Sequence, residues 1–314
     1  MKEKINIVFA CDSNYAQHAT VAMMSILKNT EDPSRIVFYL LDDQIGELVK
    51  QKIRTSIERE HSQVFFCEIN ADSFSGFYVS GQLSRAAYFR LEMGTLLPES
   101  VKKAIYLDCD LLVLDDISKM WDYDMRNYPL AAVMDLGIMA SKKDWRNKQR
   151  KLGFQKTDRY FNSGVLMIDL KAWREHAYGG QAEQLARKND YRHHDQDALN
   201  LVFHNDWQPL PLRWNVIPPV WYLFVKILRR KDFRHLAIDA RTHISILHYA
   251  GGYKPWEYTE YEAFNAKYYE YLYQTEFRDV RMPQPNPRRK GRSIARQMRR
   301  LKLADCWQKL FTAI

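Results

Sequence analysis

The sequence predicts an α/β fold, a mixed and mostly parallel sheet flanked by helices, followed by a C-terminal basic helical tail. Three observations predict it. Compact apolar runs alternate with segments that are apolar at helical spacing, the pattern of strands and crossover helices in a sheet covered on both faces. Several of the runs end in polar or acidic residues, and such sheets bind ligands beyond the carboxyl ends of their strands. The net charge of +9 lies entirely in the tail: residues 281–314 carry ten Lys or Arg and one acid, while residues 1–280 balance 37 basic against 37 acidic side chains.

Taken in order, KINIVFA (4–10) is a strand that stops at polar CDSNY, and HATVAMMSILKN (18–29) is a helix. RIVFYLLDD (35–43) is a second strand, IGELVKQKIRTSIERE (45–60) a helix and QVFFCEI (63–69) a third strand. A helix through 84–98 leads into AIYLDCDLLVL (104–114), read as one strand, and LAAVMD (130–135) is a strand ending in a carboxylate. FNSGVLMIDLKAWRE (161–175) reads as turn, strand and helix, and HHDQDALNLVF opens another helix. Beyond it, Pro209, Pro211, Pro218 and Pro219 interrupt any regular element. Residues 1–280 form the main domain, proline-rich 281–292 an extended linker, and 293–314 a basic amphipathic tail.

Composition excludes several classes. The chain is 46% hydrophobic and 27% charged, as globular proteins are. No run approaches the roughly 20 apolar residues of a spanning helix, and the apolar run near the start is too short for a signal-peptide core. Cys11, Cys67, Cys109 and Cys306 lack CxxC spacing and read as buried thiols of a reducing cytoplasm.

The most telling stretch is IYLDCDLLVL (105–114). In a strand, Asp108 and Asp110 would share a face, with Cys109 turned to the other. Two parallel carboxylates repel unless a cation joins them, and hard oxygen ligands suit Mg²⁺ or Mn²⁺. The competing explanation is a strand cap, or pairing with Lys102 or Lys103. A phosphatase-like use of Asp108 as nucleophile and Asp110 as acid is a further alternative, although Leu112 stands where that motif has Thr or Val. HHDQD invites a zinc reading, but adjacent His193 and His194 point in different directions on a helix.

IVFACDSNYA, AAYFRLEMG, IYLDCDLLV, YFNSGVLMIDLKAWR, HHDQDALN and LHYAGGYKPW occur in that order between residues 5 and 256. In this the chain resembles the family 8 retaining glycosyltransferases, particularly the bacterial lipopolysaccharide and lipooligosaccharide galactosyl- and glucosyltransferases. The resemblance implies a GT-A fold, a Rossmann-like nucleotide-sugar architecture, with UDP-galactose or UDP-glucose as donor, a Mn²⁺-type metal (Mg²⁺ possible) and retention of anomeric configuration. It further implies Asp108, Asp110 and His248 as metal ligands; a nitrogen beside two carboxylates favours Mn²⁺. Ala10, Asp12 and Asn14 match the uracil and ribose loop, and Gly251 and Lys254 the diphosphate contacts. Arg90, Cys109, Asn162, Asp135, Asp195 and Gln196 match the donor site, with Gln196 near the anomeric carbon. Taken alone, Arg90 could equally be a helix-surface arginine and Asn162 ordinary turn chemistry.

Retaining glycosidases use a carboxylate nucleophile, whereas Gln196 is an amide. The expected route is therefore front-face substitution, with Asp195 and Asp135 as the remaining nucleophile candidates. The resemblance weakens over 213–242, where Trp214, Trp221, Tyr222 and Phe224 either stack on acceptor sugars or belong to the core; 74–82 is the other candidate acceptor segment. The tail suggests an anionic membrane surface, with the enzyme peripheral on the inner face of the cytoplasmic membrane and a lipid-linked saccharide as acceptor. Nucleic-acid binding through the tail is the alternative and is not expected. After Lys302 the apolar positions shift face, which predicts two half-helices or one that adapts on binding.

Overall fold

The computed structural model describes residues 3–69, 86–189, 191–252, 254–257, 264–280 and 292–312. The acceptor candidate 74–82 and most of the linker 281–292 lie outside the described residues. The strands are β1 (Ile5–Asp12), β2 (Ile36–Asp43), β3 (Gln63–Glu68), β4 (Lys103–Leu107), β5 (Leu111–Val113), β6 (Leu130–Met134), β7 (Phe161–Asp169), β8 (Gln208–Pro209) and β9 (Ile246–His248). Seven of them form one sheet in the order β3-β2-β1-β4-β7-β6-β8, and β5 pairs antiparallel with β9 in a separate ribbon.

Alternate residues of β1 enter different cores. Ile5, Ile7, Phe9 and Cys11 pack under the helix Ala16–Asn29, while Val8 and Ala10 face Tyr88, Phe89, Leu166 and Ile168 on the other side. Burial on both faces explains why the strand sequences are almost continuously apolar. Within the seven-stranded sheet the pairs are parallel except those of β7, which runs antiparallel to β4 and β6. That reversal has a chemical result. The first residues of β7 lie at the same edge as the last residues of β1, β4 and β6, so Asp12, Asp108, Asp135 and Asn162 gather at one rim of the sheet.

Three expectations are corrected. The 104–114 run is two strands, because the chain leaves the main sheet after Leu107, bends through Asp108, Cys109 and Asp110, and re-enters pairing at Leu111 in the ribbon. The helix expected over 84–98 is broken into Ala86–Phe89, a 3₁₀ turn at Arg90–Glu92 and Met93–Leu96. Asn162 lies in β7 rather than in a turn. Of the two forms expected for the tail, the structure has the single helix, Arg292–Thr312.

The face shift in the tail has a structural cause. Leu301, Ala304 and Phe311 pack on the domain, and Arg241 from the helix Lys231–Thr242 bonds Asp305 and Gln308. Leu303, Trp307 and Leu310 form a second apolar stripe, each more than a third exposed. No described helix is long and apolar enough to cross a membrane.

Candidate active site

Asp108 and Asp110 converge because of the bend between β4 and β5, and β9 brings His248 opposite them in register with Leu111. Their ligand atoms lie within 4.8 Å of one another. His248 Nε2 is 3.1 Å from Asp110 Oδ1 and 3.8 Å from Asp108 Oδ2. A chain of hydrogen bonds anchored on a backbone N–H fixes the ring orientation of this histidine. Gly164 N–H donates to Asn162 Oδ1 at 3.1 Å, so that atom is the amide oxygen. It also accepts from Asn215 Nδ2 at 2.8 Å, which turns Asn215 Oδ1 towards His248 Nδ1, also at 2.8 Å. His248 Nδ1–H therefore donates to Asn215, and Nε2 is the ring atom left facing the carboxylates, the orientation that a metal ligand needs. Two hard oxygens and a correctly oriented imidazole fit a divalent cation.

Two cations border this cluster. Lys254 Nζ bonds Asp110 Oδ2 and the Tyr249 carbonyl. Burial pushes the Asp110 carboxyl pKa up, but Lys254 and His248 outweigh that and hold it well below the usual carboxylate range. Arg90 is buried rather than on a helix surface. It donates to Asp108 Oδ1 at 2.9 Å and to the Ser163 carbonyl at 2.6 Å, pairs with Asp195 Oδ2 at 3.1 Å and stacks over Tyr106. Burial pushes Asp195 up to about 6 even though Arg90 opposes it.

Gln196 sits in the helix His194–Val202, whose first residue has φ of +42°. A histidine in that left-handed region carries backbone strain, a feature concentrated at functional sites. Gln196 Oε1 accepts from Ser163 N–H and Asn162 Nδ2, and its Nε2 donates to Asp135 Oδ2 at 3.3 Å. Asp135 is held in turn by capping Ile138 N–H at 3.0 Å. Arg90, Asp108, Asp110, Asp135, Asn162, Asp195, Gln196, His248 and Lys254 thus form one connected polar network.

The remaining predicted residues flank it. Asp12 folds the loop after β1 by accepting from Asn14 N–H and Tyr15 N–H, both at 3.0 Å, and also bonds the Asn14 amide. Cys109 turns away from the acids and its thiol donates to the Ala10 carbonyl, tying this loop to the acidic bend. Gly251, at φ of +99°, lets the chain turn back so that Lys254 reaches Asp110. Trp214, Trp221 and Tyr222 are buried core residues, which removes them as acceptor contacts; Phe224 is half-buried. Among the described residues no zinc cluster forms at His193 and His194.

Sequence reasoning missed Asn215, whose signal was a lone amide between Trp214 and an apolar run. It also missed His18, which stacks on Trp256 with ring centroids 3.6 Å apart and bonds Tyr268. Burial drives its imidazole down to about 3, so it is a neutral wall under the loop. Tyr15 lies edge-on to both rings. Nothing in a single polar residue on an apolar helix announced that role.

The family model for glycosyl transferase family 8 matches residues 6–260. The chain belongs to that family. As a family 8 glycosyltransferase it is similar to General stress protein A of Bacillus subtilis, 30% identical over 90% of this chain and 98% of that protein. It is 28% identical to the lipopolysaccharide 1,2-glucosyltransferase of Escherichia coli, over 81% of this chain and 73% of that one. An active-site Gln-to-Glu variant of LgtC superposes with a TM-score of 0.77 at 28% identity, covering 86% of this chain and 96% of LgtC. LgtC, a galactosyltransferase, has also been solved with donor and acceptor sugar analogues. These likenesses place the glycosyltransferase on the GT-A fold, and they disfavour the phosphatase-like and nucleic-acid readings.

Proposed function

We propose that this glycosyltransferase moves galactose or glucose from a UDP-sugar to a saccharide acceptor with retention of configuration, using a divalent metal held by Asp108, Asp110 and His248. The observation that carries the metal part is the orientation of His248, which aims Nε2 at two carboxylates. When bound, the metal supplies positive charge to the departing diphosphate. Lys254 adds a second charge to the same end. The loop of Ala10, Asp12 and Asn14, with Tyr15 beside it, receives the nucleotide; burial and then the Asp110 charge push the Tyr15 phenol up to about 12, which keeps that ring neutral.

Front-face substitution is favoured by the state of the two candidate nucleophiles. Asp195 is engaged by Arg90 and Ser163, and both Asp135 oxygens already accept hydrogen bonds. Gln196 then lines the reacting face and stabilises developing positive charge, while a phosphate oxygen of the leaving group receives the acceptor proton. A glycosyl-enzyme trapped in Gln196→Glu would overturn this route. The acceptor side is the wall near Asp135, where Lys226 bonds the Gly137 carbonyl beside half-buried Phe224.

A lipid-linked acceptor, of the lipopolysaccharide kind, fits the tail. Leu303, Trp307 and Leu310 would enter an anionic leaflet while neighbouring basic residues meet its phosphates, leaving the enzyme peripheral on the inner face of the cytoplasmic membrane.

One assay tests these points. UDP release is measured from a panel of UDP-sugars without acceptor, with Mn²⁺, with Mg²⁺ and with chelator. Metal-dependent release from UDP-galactose or UDP-glucose is expected. Silence across the panel, without thermal stabilisation by any donor, would defeat the proposed chemistry. A chain ending at residue 280 should keep that release and lose binding to anionic vesicles; undiminished vesicle binding would refute the membrane role of the tail.

A further inference from the structure

Behind Gln196 lies a buried charged pair to which donor and metal binding assign no part. Lys148, from the helix Lys142–Leu152, and Asp197 are ion-paired with both side chains 2% exposed. Such a pair loses much hydration and is seldom a gain in stability over apolar residues, so its presence calls for another explanation. Its hydrogen bonds supply one. Asp197 Oδ1 accepts from the Tyr160 hydroxyl at 2.5 Å, Asp197 Oδ2 accepts from His193 N–H at 3.1 Å, and Lys148 Nζ lies 2.8 Å from His193 Nδ1.

Tyr160 has one hydroxyl hydrogen, and it is donated to Asp197 Oδ1. The phenol oxygen then offers only lone pairs to its other neighbour, Gln196 Nε2, at 3.2 Å. The second Nε2 hydrogen goes to Asp135, and Gln196 Oε1 faces the donors Ser163 N–H and Asn162 Nδ2. A flipped amide would set oxygen against a carboxylate and a phenol lone pair, and NH₂ against a backbone N–H.

We propose that Lys148, Asp197 and Tyr160 are positioning residues that hold the Gln196 amide in a single orientation. Lys148 pairs with Asp197 and fixes its carboxylate, and Asp197 keeps the Tyr160 hydrogen turned away from Gln196. The proposal rests on reading Gln196 as part of the transfer site.

Tyr160→Phe keeps the ring and the ion pair and removes only the link. It is expected to lower kcat by about 10-fold to 100-fold, the scale of a misplaced reacting group, with donor KM and Mn²⁺ affinity within about twofold. Lys148→Met should lower kcat similarly, Lys148→Arg should recover most of it, and Lys148→Met with Tyr160→Phe should be no worse than either alone. Unchanged kcat in Tyr160→Phe, or fully additive losses, would overturn the proposal. Crystal structures of wild type and Tyr160→Phe decide the same point without turnover: a rotated or split Gln196 amide in the variant is expected, and a wild-type pose would count against positioning. Failure of the wild-type enzyme to turn over any UDP-sugar strikes the functional reading instead, and leaves the crystallographic comparison to judge Gln196.

Discussion

Asp110→Asn is expected to abolish divalent-metal binding and to lower glycosyl transfer at least about 10³-fold, roughly 4 kcal/mol of transition-state stabilisation. The carboxylate is the meeting point of Lys254 and His248, with its side chain 14% exposed. Asparagine keeps the shape and removes the charge. The fold suffers as well, because Lys254 loses its counter-ion; breaking a buried pair costs about 3–5 kcal/mol. Since the folded-state pKa of Asp110 is depressed, its contribution to stability is present above the unfolded value and is lost as pH falls towards the folded one. The variant should therefore lose part of the acid dependence of its melting temperature. Asp110→Asn combined with Lys254→Met should regain thermal stability without regaining metal. Calorimetric titration with Mn²⁺ checks both variants, and wild-type affinity in Asp110→Asn would remove this cluster from consideration.

Gly164→Ala is expected to weaken metal binding at least about 10-fold to 100-fold, the effect of disturbing the groups that orient metal ligands, while leaving the fold intact. A Cβ on Gly164 would stand 2.5 Å from both Asp108 Oδ2 and His248 Cε1, and 3.1 Å from Asn162 Oδ1. These groups have little freedom to retreat. Asp108 is held by Arg90, His248 by Asn215, and Asn162 by Gln196 and Asn215. One methyl group therefore forces the ligands apart. Overpacking of this kind costs about 1–3 kcal/mol, less than the stability of most domains. The backbone bond from Asp108 N–H to the Gly164 carbonyl should survive, so circular dichroism and a melting curve should show a folded protein. Mn²⁺ affinity equal to that of wild type would mean that the β7 backbone shifts to make room.

The predicted residues assemble for a reason that the sequence shows only in part. Asp12 and Asp135 were legible as residues closing apolar runs, because in a largely parallel sheet those ends share a rim. Asp108 and Asp110 were legible as a pair needing a cation, although the strand geometry used to align them was mistaken. A bend between two sheets brings them together, a detail that the unbroken apolar run 104–114 conceals. Asn162 was legible only through the family pattern, since its place at the rim depends on the reversal of β7, and strand direction leaves no trace in local periodicity.

By itself the sequence determined the alternation of the first three strands with helices, the acidic pair, the family and the separation of a neutral domain from a basic tail. Each of these is written in local periodicity, motif order or charge, which do not depend on distant contacts. Only the tertiary structure decided the orientation of His248, the burial of Trp214, Trp221 and Tyr222, and the linkage of Lys148 and Tyr160 to Gln196. It also decided which apolar stripe of the tail docks and which stays exposed. The hydrogen bonds behind these outcomes join groups as far apart in sequence as 33 residues, for His248 and Asn215, and 67, for Arg241 and Gln308. A side chain's partner, unlike its polarity, is set by how the rest of the chain folds around it.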